Sequence, residues 1–472
     1  MSETKTETKA KGGFGSKLGF ILAAAGSAVG LGNIWRFPYL ASDNGGGIFL
    51  LVYLVLAVTF GFTLMVTEIS IGRRTGKSAI GAYSEMSQKF APLGWLASAV
   101  PVLILPYYCV IGGWVLKYFT TFITGTGTAA ADPSYFGAFV GTSDSFAGVM
   151  QPAIFFAIYI ILTAVVVMLG VQKGVELVSK FMMPLLLVLI VGIGIYTLTI
   201  PAEEGKVGAI DGLIHYIKPD FTKFSLKTVV AAMGQLFYSM SLAMGIMITY
   251  GSYMRKEDSI ESSVRHIEIF DTAVAFLAGM IIVPSVFVFT SNNPALEVGM
   301  SGPSLMFKTL PMIFETMPFG QVIGVIFFLL VALAALTSSI SLMETVVSIL
   351  CEKTHMKRIP ACLIVLGFSL LLGLVSVFGF NIWGSVLPLG MDFLTFFDFI
   401  TNYVMMPIVA LVTCILIGFV VKTKFVEEEV ESTGTFKSRG LYRVMVKYVC
   451  PVCLVAILVY GLIETFAPQL LA

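Results

Sequence analysis

Gly26, Gly30 and Gly32 fall within residues 26–38, which end on Pro38 and lie inside the first apolar segment of the chain. Glycine and proline in this pattern weaken a helix where a membrane helix should run unbroken. Hydrocarbon offers no partner to a freed backbone N–H or C=O, so an unwound stretch persists only where ions, substrate or protein groups satisfy it. A second interruption is written at 234–245, where Gly234 and Gly245 flank a stretch carrying Ser239 and Ser241. The chemistry open to such breaks is binding: exposed carbonyl ends favour cations and exposed N–H ends favour anions.

The elements that must position these breaks are membrane helices. The 472 residues are 57% hydrophobic and 12% charged, with a mean hydropathy of +0.92, which excludes a soluble domain, a disordered chain and a nucleic-acid binder. Eleven spans are expected, at about 16–38, 46–72, 91–122, 151–170, 174–199, 227–251, 267–291, 319–350, 360–379, 393–421 and 441–466. Each is long enough to cross roughly 30 Å of hydrocarbon. Lys and Arg cluster before span one and after spans two, six, eight and ten, whereas residues 123–150 carry none. The pattern predicts a cytoplasmic N-terminus and, with an odd span count, an extracellular C-terminus. No cleaved signal peptide is expected, because no apolar h-region with a cleavage site precedes span one.

Spans one and six lie five apart, and five is odd, so a second five-span unit enters the membrane from the opposite side and the two breaks meet at mid-membrane. The chain therefore divides into a cytoplasmic segment 1–13, a first repeat 14–199, an extracellular connector 200–226, a second repeat 227–421, a cytoplasmic linker 422–440, and an eleventh helix with the C-terminus at 441–472. A single glycine cluster would be read as close helix packing; two at matching positions point to a site. The six cysteines are scattered, Cys450 and Cys453 being the one close pair, and the three histidines show no ligand spacing, so small apolar residues and surface histidines are the readings taken.

These residues resemble the neurotransmitter:sodium symporter family, in its bacterial, leucine-transporter-like amino-acid branch. The likeness rests on Gly26–Pro38, Asn44-Gly-Gly-Gly47, Glu68, Tyr107-Tyr108, Gly234-Gln235 and Thr337-Ser338-Ser339, and extends from about Lys11 to span ten. It implies an all-α membrane carrier with a 5+5 inverted repeat, helices one and six broken, and one extra helix.

Monoamine carriers of the family have an aspartate where this chain has Gly30, so the resemblance implies a substrate that brings its own carboxylate. That group would meet the N–H groups of Gly30, Leu31 and Gly32 and the hydroxyl of Tyr108; the ammonium would meet carbonyls near Ala28, Tyr238 and Ser241. Ser27, Ile104, Phe237, Ser239, Met244, Ser338 and Leu342 complete the expected pocket. Met244 replaces a phenylalanine of leucine-transporting members and re-packs around varied shapes, which favours a large hydrophobic or aromatic L-amino acid.

The resemblance further implies two Na+ sites. One draws on Ala28, Asn33, Ser239 and Asp271, the last an ion ligand, a fixed charge in place of chloride, or both, with Ala275 where chloride-dependent members have serine. The other draws on Gly26, Val29, Ala334, Thr337 and Ser338. Arg36 and Asp398 would gate the outside, under Phe237 or Tyr108 as lid. Lys11, Ser252, Tyr253 and Glu352 would gate the inside. Gly174 and Pro184 reproduce a Gly-x9-Pro spacing linked in bacterial members to local unwinding of span five. The expected function is Na+-coupled, chloride-independent amino-acid import at the cell membrane, with Na+, substrate and lipid as partners and no nucleic acid. A non-transporting amino-acid sensor, or a carrier of another small zwitterion, is the alternative. A channel lacks its selectivity motif, and an enzyme its nucleophile–base pair.

Overall fold

The computed structural model describes residues 13–141, 146–200, 206–292, 302–467 and 469. Among them, nine unbroken helices are long and apolar enough to cross a membrane: Gly47–Thr75, Gln88–Ile123, Gly148–Met168, Val171–Thr199, Ile260–Asn292, Gly320–Thr354, Arg358–Phe378, Phe393–Val420 and Arg439–Phe466. Two broken helices at the expected places one and six complete eleven. Some ends move outward; span seven starts at Ile260 rather than 267 because a helix need not stop where hydrocarbon does, and its first turns carry the polar Glu261 and Arg265.

Span one starts on Ser16, whose hydroxyl accepts the Gly19 N–H at 3.1 Å, the usual way of satisfying an orphan donor of a first turn. The helix Lys17–Ala28 stops where Val29 turns extended. It resumes through a π turn, Gly32–Arg36, into Phe37–Asp43, bent by 54° from the first piece. Pro38 does not end the span. It sits where the π turn passes into α-helix, an interruption of the regular ladder that tolerates a residue without an N–H.

Span six is Leu226–Ser239, then 240–245 without helix, then Ile246–Tyr253. Gly234 lies inside the first piece and breaks nothing. The break is made by Ser241, Ala243 and Gly245, all at positive φ (52°, 60° and 70°); for the two non-glycines this is strain that surrounding contacts must hold.

Spans three, seven and eight are central, with 78%, 61% and 67% of their apolar windows buried, whereas spans four and eleven, at 33% and 28%, form the rim. On one face the connector folds down rather than looping free. Its helix Ala209–Ile217 lies against span seven through Tyr216, which donates to the Phe276 carbonyl at 3.1 Å, and Gly46 pairs with Pro219.

On the opposite, basic face, residues 422–440 form a clasp. Arg73, buried at the end of span two, donates to Glu429 at 2.7 Å and Ser432 at 3.0 Å, and Lys256 joins Glu429 at 3.1 Å. Glu427 accepts from Arg439 at 2.8 Å and Arg443 at 2.7 Å. The Arg443 hydrogen bonds hold the Glu427 carboxyl down to about 2 from an ordinary 4.5. A depressed carboxyl stabilises the fold at and above its ordinary pKa and stops doing so as pH falls through the lowered value. The thermal midpoints of wild type and Glu427→Gln should therefore differ at neutral pH by an amount constant down to about pH 5, and converge as pH approaches 2; calorimetry in detergent reads this directly.

Candidate functional site

The two breaks face each other across a cavity of about 30 Å³ lined by Ser27, Ala28, Gly30, Leu31 and Gly32 of span one and Ile104 and Tyr108 of span three. Tyr238, Ser239, Ser241, Met244 and Ile246 of span six and Ser338 and Leu342 of span eight complete it. Phe237 is the one expected lining residue that is absent. It packs on Phe60, ring centres 6.4 Å apart, and lines a larger outer cavity of about 520 Å³ with Arg36, Asn402 and Tyr403. Tyr238 is the residue that lines both cavities, the place between them at which Phe237 or Tyr108 was expected as lid. Ile246 went unseen because no residue signal sets the helical phase just after a break.

The Tyr108 hydroxyl is buried and makes no well-formed hydrogen bond, with the Ser338 hydroxyl and the Leu31 N–H beside it, a cost that a ligand oxygen would relieve. It points at the break of span one: a Cβ added at Gly30 would lie 3.0 Å from the Tyr108 oxygen and 2.8 Å from the Ser338 Oγ. The Gly30 N–H is not free, contrary to expectation, because the Asn33 side chain folds back and accepts it at 3.0 Å.

Beside the cavity lies Asp271, fully buried. Its Oδ1 accepts from the Asn33 amide at 2.8 Å and the Ser239 hydroxyl at 2.9 Å, and its Oδ2 from the Tyr53 hydroxyl at 3.3 Å. All three donors are neutral, and no Lys or Arg pairs with it among the described residues. A carboxylate so placed needs a countercharge. Carboxylate, amide and hydroxyl oxygens form a hard donor set that suits Na+ chemically. Tyr53 carried no signal in the sequence beyond being a tyrosine in an apolar run.

A second oxygen cluster joins spans one and eight. The Ser338 hydroxyl lies 3.4, 3.1, 3.3 and 3.3 Å from the carbonyls of Gly26, Ser27, Val29 and Ala334. One hydroxyl proton cannot serve four acceptors; a cation can. Thr337 donates to Ala334 at 2.9 Å on its own span and packs against the break of span one, where a Cβ added at Gly26 would meet the Thr337 Cβ at 3.2 Å and its methyl at 3.4 Å. Glu68 stabilises the strained break of span six by accepting the Ala243 N–H at 2.6 Å.

Arg36 and Asp398, the expected outer gate, make no ion pair with each other. Arg36 lies over the Tyr238 ring, 5.5 Å from its centre, while Asp398 accepts from Asn402 at 2.6 Å and Tyr107 at 3.2 Å. Arginine on an aromatic face and a carboxylate served by local donors is a competing arrangement for both charges. On the basic face Lys11 lies outside the described residues. Glu352 accepts the Ser78 N–H at 2.7 Å and Ser252 donates within its own helix to Thr249. Tyr253 donates not to Glu352 but to Glu344 at 2.8 Å, which also takes Arg358. An acid inside an apolar span is itself a signal, and Glu344 was readable on that ground. Phe14 fills the space beneath, edge-on to Phe20 and Tyr250 at 5.5 Å each.

Paired broken helices around a central cavity define a polytopic membrane transporter of the broken-helix class. The family model described as the sodium:neurotransmitter symporter family matches residues 11–135 and 128–471, and the chain belongs to that family. It is 31% identical over 473 residues to an uncharacterized sodium-dependent transporter of Haemophilus influenzae, covering 97% of this chain and 99% of the relative. A sodium- and chloride-dependent GABA transporter 2 of Homo sapiens is 27% identical over 75% of this chain and 64% of its own length. The crystal structure of MhsT in complex with L-phenylalanine superposes with a TM-score of 0.83 at 34% identity, covering 96% of this chain and 100% of that one.

The place of Tyr238 between the two cavities is testable at once. Tyr238→Ala should join the two cavities and speed substrate dissociation about tenfold, the cost of losing one well-packed ring and its water exclusion, with Na+ binding in the absence of substrate unchanged; scintillation proximity on purified protein measures both.

Proposed function

We propose that the chain is a Na+-coupled symporter that imports a hydrophobic or aromatic L-amino acid across the cell membrane by alternating access, without chloride. The observation that carries this reading is the buried Tyr108 hydroxyl, without a well-formed hydrogen bond and aimed at Gly30, a carboxylate receptor in a site with no acidic side chain of its own toward the substrate. The L-phenylalanine bound by MhsT supports the substrate class. Met244 and Ile246 supply an adaptable apolar wall.

In this reading one Na+ binds among the Ala28 carbonyl, Asn33, Ser239 and Asp271, and another among Gly26, Val29, Ala334, Thr337 and Ser338. Asp271 supplies the negative charge that chloride supplies elsewhere, and Ala275 leaves no hydroxyl for chloride. The basic face is cytoplasmic, the C-terminus extracellular, and Arg36 and Asp398 close the outside once substrate is seated. The test is uptake of labelled phenylalanine, tryptophan and leucine into proteoliposomes, with inward Na+ against K+, and with chloride replaced by gluconate. Na+-driven accumulation that ignores chloride supports the reading; binding without accumulation returns a non-transporting sensor.

A further inference from the structure

Residues 13–17 hang between two supports on the cytoplasmic face. On one side the Phe14 N–H donates to the Tyr253 carbonyl at 3.0 Å and Arg255 donates to the Gly15 carbonyl at 3.2 Å. On the other side the support is the first turn of span five. Glu176, only 3% exposed, accepts the Gly15 N–H at 2.7 Å, the Ser16 hydroxyl at 2.9 Å and the Lys180 ammonium at 2.6 Å. Gln172 donates to the Gly13 carbonyl at 2.9 Å.

The carboxylate is built into span one as well as span five. Ser16 is the residue that caps span one, so a relay runs from the Gly19 N–H through the Ser16 hydroxyl to Glu176. At Gly19 itself an added Cβ would lie 2.1 Å from the Glu176 Oε1, so the acid and a side chain at 19 exclude each other. Charge-assisted bonds of this kind are roughly twice as strong as neutral ones. Yet the turn that carries Glu176 is a weak piece of helix: it is a π turn, Val171–Glu176, entered through Gly170 at φ 92°, and π turns mark interruptions rather than rigid helix.

We infer that Glu176 is a positioning residue that ties the Phe14 plug and the cap of span one to the first turn of span five, so that the cytoplasmic plug and that turn are released together. When the turn loosens, one carboxylate withdraws from both Gly15 and Ser16, and Phe14 loses one of its two anchors. The inference rests on the symporter reading for its direction, outward-facing when latched and inward-facing when released.

Hydrogen exchange with mass spectrometry on the full chain in lipid nanodiscs, in NaCl and in KCl, tests it. Wild type should show Na+ protection of peptides covering 14–22 and 171–180. In Glu176→Gln, exchange at 14–22 in NaCl should rise about tenfold, as expected for loss of charge-assisted bonds that set a local opening, while peptides from the middle of span three stay unchanged. Ser16→Ala, which keeps the Glu176–Lys180 pair, should move the same peptides less. Exchange at 14–22 in Glu176→Gln equal to wild type would overturn the latch; if that variant does not fold, wild-type exchange in Ser16→Ala overturns it equally. The two failures separate cleanly: Na+ protection that persists without any effect of the variants refutes the latch alone, whereas no Na+ effect on wild type anywhere refutes the symporter reading and the latch with it.

Discussion

Gly30→Asp should lower the uptake efficiency for a hydrophobic amino acid by at least about a hundredfold. Two costs add. The new Cβ falls 2.8 Å from the Ser338 Oγ and 3.0 Å from the Tyr108 oxygen, inside ordinary contact, and the new carboxylate takes the Tyr108 hydroxyl that the substrate carboxylate needs. Each charge-assisted bond lost is worth about 1.5–3 kcal/mol, and the repulsion between the two carboxylates adds to it. The same variant should admit an amine that lacks the carboxylate, so phenethylamine should compete for the site in Gly30→Asp and not in wild type. Competition binding with labelled phenylalanine and phenethylamine reads the exchange of preference; unchanged phenylalanine affinity in the variant would remove Tyr108 and Gly30 from the proposed carboxylate site.

Asp271→Ala should weaken Na+ binding by about 3 kcal/mol, a factor near a hundred. On the proposed ligation it removes a ligand and the countercharge together, and leaves the Asn33 amide, Ser239 and Tyr53 hydroxyls without their acceptor. Asp271→Asn separates the two effects, since an amide oxygen still ligates but carries no charge. Its Na+ affinity should recover only in part, and Asp271→Asn combined with Ala275→Ser should recover further in chloride and not in gluconate. Na+ titrations of substrate binding in both anions decide it: if Asp271→Asn alone behaves as wild type, the fixed charge is not what replaces chloride.

Much of this architecture is legible from residues alone. Span positions follow from apolar length, and Asp271 announces itself as a charge in an apolar run. What fails is rotation near a break. Phe237 and Tyr238 are neighbours, and which of them faces the cavity depends on the helix phase just before 240–245, where Ser241 and Ala243 take positive φ; no periodicity carries through such a stretch. Gly234 misleads for a related reason: a glycine inside a helix lowers its propensity by roughly 1 kcal/mol, which packing overrides. The gates are hard to read for another reason. Arg36 and Asp398 each have partners of their own, Tyr238 for one and Asn402 with Tyr107 for the other, and opposite charge alone does not weigh those.

Asp271 is a charge that the chain cannot leave behind. A carrier balanced by a mobile anion resets electrically neutral, because the anion departs with its cargo. Here the emptied protein, on the proposed ligation, keeps Asp271 near mid-membrane, and unless a proton replaces the departed Na+ the return to the outward-facing state carries one negative charge on which an interior-negative potential acts. Each elementary charge is worth about 2.3 kcal/mol per 100 mV. The voltage thus drives the reset as well as the entry of Na+, and turnover should remain steep in membrane potential even when substrate and Na+ are saturating.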